Sequence, residues 1–326
     1  MLSRKLRIIP SPRVRTPTPA SANVTGSAFL PSTAVSRAIL WLLLAATLLV
    51  SACSSLRLAY NQGPLLAYWW LDGYADFDST QKPQAKAAIA QWFAWHRQTQ
   101  LPAYRQWLQQ TATLLDGQPG ADALCDGFTP LDAFRDQALA ALAEPTVLLA
   151  RQLKPAQWQH IERHLTHKDT EWQDDHLQPD PQDRLDAAAE RAIAFSERFY
   201  GRLSRAQKAW LTQRLQHSPW RPENDLAERR HKQRDTLATL QAVARPELSP
   251  AQALSQTQAW LHRLAEPMNA EHGRAREAAR RYVCEMAADF HREATPAQRR
   301  HLADRLRDWG ADLDSFIVPA LAAAAP

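Results

Sequence analysis

The chain has 326 residues, with 39 Lys and Arg, 34 Asp and Glu, and a formal net charge of +5. Six of the basic residues and none of the acidic ones lie in residues 1–52, and removing that segment leaves 33 basic and 34 acidic side chains. Nucleic-acid-binding domains present a basic face, so the near-neutral remainder excludes nucleic acid as the expected partner.

The first predicted element is an apolar run at residues 38–50, preceded by Arg37. Its 13 residues are too few to cross a bilayer, which takes about 20,. They match the hydrophobic region of a secretory signal peptide, and the basic segment before them reads as an unstructured leader. We therefore expect residues 1–52 to be removed on export, leaving residues 53–326 as a single periplasmic domain.

The apolar run leads directly into a motif that resembles the bacterial lipobox, Val50-Ser51-Ala52-Cys53. In lipoproteins with this motif, a diacylglycerol is attached to the cysteine, the chain is cut before it, and the new amino terminus is acylated, for instance with palmitate. The resemblance implies that Cys53 anchors the protein in a membrane, and Ser54 at the next position favours the outer membrane. The alternative is an ordinary secretory signal cut after Ala52, with Cys53 unmodified.

Beyond Cys53, the sequence predicts helices throughout. Glycine is scarce, with nine in the whole chain, and apolar residues recur every three or four positions, as in amphipathic helices. The first such stripe is Gln84–Leu115, which Pro102 is expected to kink. Similar stripes follow at 131–153, 158–176, 185–200, 208–215, 226–243, 251–264 and 275–290. The predicted fold is all-α, an irregular antiparallel bundle of eight or nine helices.

The segment Tyr68–Asp78, YWWLDGYADFD, contains five aromatic residues. Because aromatic side chains bury large areas, we expect them to fill the core. The alternative is that they contact the membrane, since Trp and Tyr favour the headgroup region and Trp69 lies only 16 residues after Cys53.

Two further cysteines, Cys125 and Cys284, remain after Cys53. In an oxidising periplasm this pair is expected to form one disulfide, and two free buried thiols are the alternative.

Four histidines mark the stretch between residues 160 and 176. His160 and His164 are one helical turn apart, and His167 and His176 follow on the same predicted helix. Imidazoles at this spacing suit zinc or copper, so a metal site at His160, His164, His167 and His176 is one prediction. A solvated polar helix is the alternative. No other cofactor and no small-molecule substrate is indicated.

A short pattern recurs four times, as LKPAQ (153–157), LSRAQ (203–207), LSPAQ (248–252) and ATPAQ (294–298). In the last three, Ser204, Ser249 or Thr295 stands three residues before a glutamine, which is the spacing of a helix-starting capping box. These segments also resemble the LTxxQ motif of Spy-type periplasmic helical proteins, which implies a chaperone-like or metal-sensing relative. The period near 45 residues admits stacked helix pairs, an α-solenoid, as a second fold.

Four longer segments resemble the bacterial lipoprotein family catalogued as domain of unknown function 6279. They are LAYN (58–61), YWWLDGYADFD (68–78), ERFYGRLSRAQKAWL (197–211) and TPAQRRHLADRLRDW (295–309). The resemblance implies a lipid-anchored helical protein with cysteines at positions 125 and 284 and without an established activity, so no catalytic residue can be transferred.

No catalytic or nucleotide-binding motif appears in the sequence. We therefore expect a non-enzymatic envelope lipoprotein that binds a client protein or an envelope component in an apolar groove between helices. A periplasmic metal-binding or sensing protein is the first alternative, and a cell-envelope hydrolase is the second.

Overall fold

The computed structural model describes residues 55–323, so the lipobox and Cys53 lie outside the described residues. The described part is entirely helical and contains no strand, which confirms the all-α prediction. Its fourteen helices are α1 (Ser55–Asn61), α2 (Gly63–Ala75), α3 (Gln81–Thr99), α4 (Leu101–Leu115), α5 (Ala121–Phe128), α6 (Pro130–Ala140), α7 (Ala143–Ala150), α8 (Pro155–His176), α9 (Pro181–Tyr200), α10 (Arg205–Gln216), α11 (Pro222–Val243), α12 (Pro250–Ala265), α13 (Ala270–Glu293) and α14 (Pro296–Ala323).

The largest core lies between α4 and the last helix, α14. The two helices are antiparallel, because Arg105 near the start of α4 pairs with Asp314 near the end of α14, whereas Asp116 just after α4 pairs with Arg307. Apolar residues buried along this contact include Leu101, Leu108, Leu302, Leu306, Leu313 and Phe316. Since α14 packs against a helix about 200 positions earlier, the described chain forms a bundle, and the solenoid alternative is wrong.

Proline stands at the first position of six of the fourteen described helices. Proline has a helical φ and lacks the N–H that the first turn leaves unpaired. The six helices are α6, α8, α9, α11, α12 and α14. Pro102, at the second position of α4, interrupts the predicted stripe Gln84–Leu115: α3 ends at Thr99, Gln100 lies between the helices, and α4 begins at Leu101. The interruption is confined to this point, because Gln100 keeps helical dihedral angles and donates to the His96 carbonyl at 2.9 Å.

Two capping glutamines hold the starts of α3 and α8 together. Asp78 caps the first turn of α3, accepting hydrogen bonds from the backbone N–H groups of Thr80 and Gln81 at 2.8 and 3.0 Å. Gln157 in α8 forms two reciprocal side-chain amide bonds with Gln81, at 2.9 and 3.1 Å. Lys154, which cannot cap α8, instead pairs with Asp78 at 2.7 Å. Lys154, where this copy of the pattern differs from the others, thus links the start of α8 to the start of α3.

The starts of α10 and α14 are joined by a second pair of the same kind. Gln207 and Gln298 each close a capping box, with Ser204 and Thr295 respectively. Their side-chain amides bond reciprocally at 2.8 and 3.0 Å. The recurring pattern therefore marks helix starts, as predicted, and also brings distant starts into contact, which the sequence did not predict.

The chain has more helices than the eight or nine expected. The predicted stripe at residues 131–153 is divided between α6 and α7, and α1, α2 and α5 were not predicted as separate elements. α1 and α5, with seven and eight residues, make only about two turns, too few to produce a recognisable apolar period,. α2 is longer, but most of its residues are apolar, so no single stripe stands out.

Candidate functional site

An apolar groove with a volume of about 420 Å³ opens between six helices. Amphipathic helices usually close their apolar faces against one another; here the faces of α9 and α13 leave space between them. The lining residues are Trp107, Thr111, Leu114 and Leu115 from α4; Leu124, Gly127 and Phe128 from α5; Ala192, Phe195, Ser196, Phe199 and Tyr200 from α9; Leu211 from α10; Val283, Met286, Ala287 and Phe290 from α13; and Leu302, Leu306 and Trp309 from α14.

The mouth of the groove is formed by apolar side chains that remain in contact with water. Phe195 is 63% exposed and Val283 is 53% exposed, and Phe128 is also exposed. Deeper in, Phe199 and Trp309 meet edge to face with their ring centroids 5.5 Å apart. Large exposed apolar side chains around a concavity are typical of a ligand-binding surface.

The close approach of α5 to α4 on one side of the groove depends on Gly127. A Cβ atom at this position would lie 3.3 Å from the Leu114 side chain. The Gly127 carbonyl also accepts a hydrogen bond of 2.7 Å from the Trp107 indole. The bond holds the indole against the wall and leaves its N–H unavailable to a ligand.

The hydroxyl of Tyr200, at the inner end of the groove, is paired within the protein. It lies 3.0 Å from Nδ1 of His291, whose Nε2 lies 3.1 Å from the Gly117 carbonyl. Because a carbonyl only accepts, Nε2 must have the hydrogen, and Nδ1 accepts from Tyr200. Burial lowers the pKa of His291 and raises the pKa of Tyr200, so both side chains are neutral at neutral pH.

A second cavity of about 720 Å³ lies next to the groove, and Tyr200 and Phe290 line both. The starts of α10 and α14, where Gln207 and Gln298 pair, form part of its wall. Arg202, Glu293 and His301 also line it. Unlike the groove, the second cavity therefore has charged side chains in its wall.

A disulfide between Cys125 and Cys284 joins α5 to α13. The Cα atoms of the two residues are 5.6 Å apart, and 159 positions separate them in the sequence. The two helices contribute seven of the residues that line the groove. The pairing expected from the sequence thus lies directly behind one wall of the candidate site.

The four histidines proposed for a metal site point to different partners. His160 contacts the Gly73 carbonyl at 3.0 Å, and its ring stacks near that of His164. His167 pairs with Glu171 at 3.2 Å, and His176 stacks on Trp172 with ring centroids 4.4 Å apart. Within residues 55–323, no three His, Cys, Asp or Glu side chains are grouped so that they could hold a metal. The four histidines therefore do not come together as one site in the described part of the chain, and binding of zinc or copper stays a prediction.

The aromatic segment 68–78 is only partly in the core. Tyr68 and Phe77 are buried, together with Ala75 and Ala85. Trp69 and Trp70, however, are 60% and 65% exposed, so the expectation that they fill the core is wrong. Among the described helices, none is long and apolar enough to cross a membrane.

The predicted stripes include four of the six helices that form the groove, namely α4, α9, α10 and α13, but the sequence did not identify their lining residues as a site. Phe195 and Phe199 belong to a predicted stripe, as do Val283, Met286 and Phe290. Periodicity shows which face of a helix is apolar. It does not show whether the facing helix fills the space, and so a groove gives the same sequence signal as a closed core.

Comparison with protein families gives one match. A model described as a family of unknown function, DUF6279, matches residues 73–257, more than half of the chain. No curated protein and no solved structure matches the chain. The similarity to LTxxQ proteins stays a prediction.

Proposed function

The chain belongs to the family of unknown function DUF6279, and we propose that it is a lipid-anchored envelope protein that binds an amphiphile by its acyl chain. The proposal places the anchor at Cys53 and the domain on the periplasmic side of the outer membrane. The observation that supports the binding function is the apolar groove. Its volume of about 420 Å³ lies within the range of about 300–1,000 Å³ of small-molecule sites.

The composition of the groove favours an acyl chain over a polar ligand. Its twenty lining residues include no acidic, basic or histidine side chain. The polar atoms of Trp107 and Tyr200 are already paired within the protein. A ligand with buried polar groups would leave them without partners, at about 1–3 kcal/mol for each group. A hydrocarbon chain has no such groups.

The adjoining cavity supports an amphiphile over a simple hydrocarbon. Tyr200 and Phe290 line both spaces, and the wall of the second cavity includes the charged or titratable side chains of Arg202, Glu293 and His301. We propose that the polar head of the ligand lies at this end of the groove.

A fluorescent polyene fatty acid, cis-parinaric acid, tests the proposal when it is titrated into the domain of residues 54–326, exported without a lipid anchor. We expect saturable binding with increased parinaric emission. Ala192→Trp and Ala287→Trp, which fill the groove from α9 and α13, should each weaken binding at least tenfold while the far-UV circular dichroism is unchanged.

The matched control is Trp69→Ser with Trp70→Ser, which removes two exposed aromatic side chains outside the groove and should leave the affinity unchanged. The acyl-chain proposal would be contradicted if the wild type showed no saturable binding, or if both groove-filling variants bound cis-parinaric acid as tightly as the wild type. A different outcome is that the wild type binds an amphipathic helical peptide but no fatty acid, and that the groove-filling variants lose the peptide. That result would assign the groove to a client protein and not to a lipid.

A further inference from the structure

The exposed apolar side chains of this protein are concentrated near the lipid anchor. Ten large apolar side chains are exposed in the described part of the chain. Five of them fall within 13 residues of one another, on α1 and α2: Leu58, Leu65, Leu66, Trp69 and Trp70. We call these five residues the tryptophan face.

The tryptophan face lies on one side of α2, and the opposite side holds the helix to the body of the protein. Leu65, Leu66, Trp69 and Trp70 have the i, i+1, i+4, i+5 spacing of one helix face. Tyr68 and Ala75 on the other side are buried in a cluster with Phe77 and Ala85. Because α2 is packed in this way, the face cannot be covered by a simple rotation of the helix.

The chain segment that carries the tryptophan face has few charged residues. The other exposed residues between positions 56 and 70 are Ala59, Asn61 and Gln62. Arg57, the only charged residue in that interval, is paired with Asp312 at 2.8 Å. A helix face in contact with water normally presents charged side chains; this one presents two tryptophans and three leucines.

Covalent geometry keeps the face close to the proposed anchor. Leu58 is five positions after Cys53, and an extended chain spans at most ~3.3–3.6 Å per residue. Leu58 therefore lies within ~18 Å of the lipidated cysteine. Helical residues rise 1.5 Å each, so Trp69, eleven residues later, lies within about 35 Å.

We propose that the tryptophan face docks on the phospholipid bilayer that holds the Cys53 anchor. The inference rests on the lipid anchor of the proposed function and adds a second contact with the same membrane. Tryptophan favours the headgroup region, and removing exposed apolar side chains from water is favourable in proportion to their area. None of the five residues lines the apolar groove, so docking leaves the groove wall free.

Tryptophan quenching by brominated phospholipid tests the docking. The full lipidated protein is reconstituted in vesicles of phosphatidylethanolamine and phosphatidylglycerol, with or without bromine on the acyl chains. We expect brominated lipid to quench part of the emission of the eleven tryptophans that follow Cys53. The quenched part should fall at least twofold in Trp69→Ser/Trp70→Ser. It should also fall at least twofold in Leu65→Ser/Leu66→Ser, which keeps both tryptophans.

Leu148→Ser, which removes an exposed apolar side chain outside both the tryptophan face and the groove, is the matched control and should be quenched like the wild type. Flotation and palmitate labelling report the anchor separately. A protein that is labelled and floats with the vesicles but shows no quenching would overturn the docking proposal and leave the anchor intact. A lipidated dimer that Trp69→Ser/Trp70→Ser converts to monomer, again without quenching, would assign the face to a second copy of the chain. If the wild-type protein neither is labelled with palmitate nor floats with the vesicles, the proposed anchor itself is overturned.

Discussion

Two buried histidines each lie next to a tyrosine hydroxyl. The Tyr60 hydroxyl contacts Nδ1 of His96 at 2.9 Å, and Tyr200 contacts His291 in the same way at 3.0 Å. Burial lowers the pKa of His96 to about 4 and lowers the pKa of His291 as well. Both histidines are therefore neutral at neutral pH, and each has its Nδ1 within hydrogen-bonding distance of a tyrosine hydroxyl.

The lowered pKa of His96 predicts a loss of stability in acid. The unfolded chain takes up a proton at His96 near pH 6.5, whereas the folded protein does so only near pH 4. The free energy of unfolding should be independent of this group above pH 6.5. It should then fall between pH 6.5 and 4 by up to about 1.4 kcal/mol per pH unit.

Urea denaturation of the wild type and of His96→Gln at pH 7.5, 6.0 and 5.0 measures this contribution. The variant, which has no group to protonate at position 96, should lose stability less steeply than the wild type. Equal slopes would show that His96 has the same pKa in the folded and unfolded chain.

Two arginines of α11 contact a buried carboxylate of another helix. Asp169 on α8 is buried and accepts hydrogen bonds from Arg229 at 2.7 Å and Gln233 at 2.7 Å, with Arg230 at 3.4 Å. The bonds join α8 to α11. Charge patterning along one helix identifies a polar face, but the buried acid that these arginines meet comes from another helix and could not be located from spacing.

At the scale of the helices, reciprocal glutamine pairs distinguish one capping box from another. Gln157 donates to the carbonyls of Ala75 and Asp76, at 2.8 and 3.0 Å, in addition to its bonds with Gln81. Gln252, in the box that starts α12, is exposed and bonds with Ser249. The two sequences, LKPAQ and LSPAQ, look equivalent. Gln157 and Gln252 should nevertheless contribute differently to stability.

We expect Gln157→Ala to lower the free energy of unfolding by about 1–3 kcal/mol, because it leaves buried carbonyls without a donor. Gln252→Ala is the matched variant and should lower it by less than about 1 kcal/mol, the usual effect of a lost cap. Chemical denaturation of both variants gives the comparison. An equal effect of the two substitutions would mean that the contact between helix starts adds nothing to capping.

At the scale of the whole molecule, two contacts join parts of the chain that are distant in sequence: the disulfide and the packing of α4 against α14. The last helix packs against α4, and the bond from Cys125 to Cys284 fastens α5 to α13 across 159 positions. In the chain-entropy model, a cross-link over a loop of this length stabilises the folded state by about 5 kcal/mol. The same bond fixes the wall formed by Leu124 and Phe128 next to Val283 and Met286.

Reduction should therefore weaken both stability and ligand binding. We expect a reducing agent to lower the midpoint of urea unfolding and to raise the dissociation constant for cis-parinaric acid. The variant Cys125→Ser/Cys284→Ser should resemble the reduced wild type and should not respond to the reducing agent. Two titratable thiols in the unreduced, denatured wild type would contradict the disulfide.

The sequence by itself determined the helical class, the positions of most helix starts, the capping boxes and the family, because local propensity, proline and short-range hydrogen bonds act within a few residues. It also marked Cys53 as the expected lipid anchor. Only the tertiary structure decided that Trp69 and Trp70 face outwards while Tyr68 faces inwards, and that the faces of α9 and α13 leave a groove. Whether an apolar face is covered depends on the shape of helices that are distant in sequence, and no pattern within one helix contains that information.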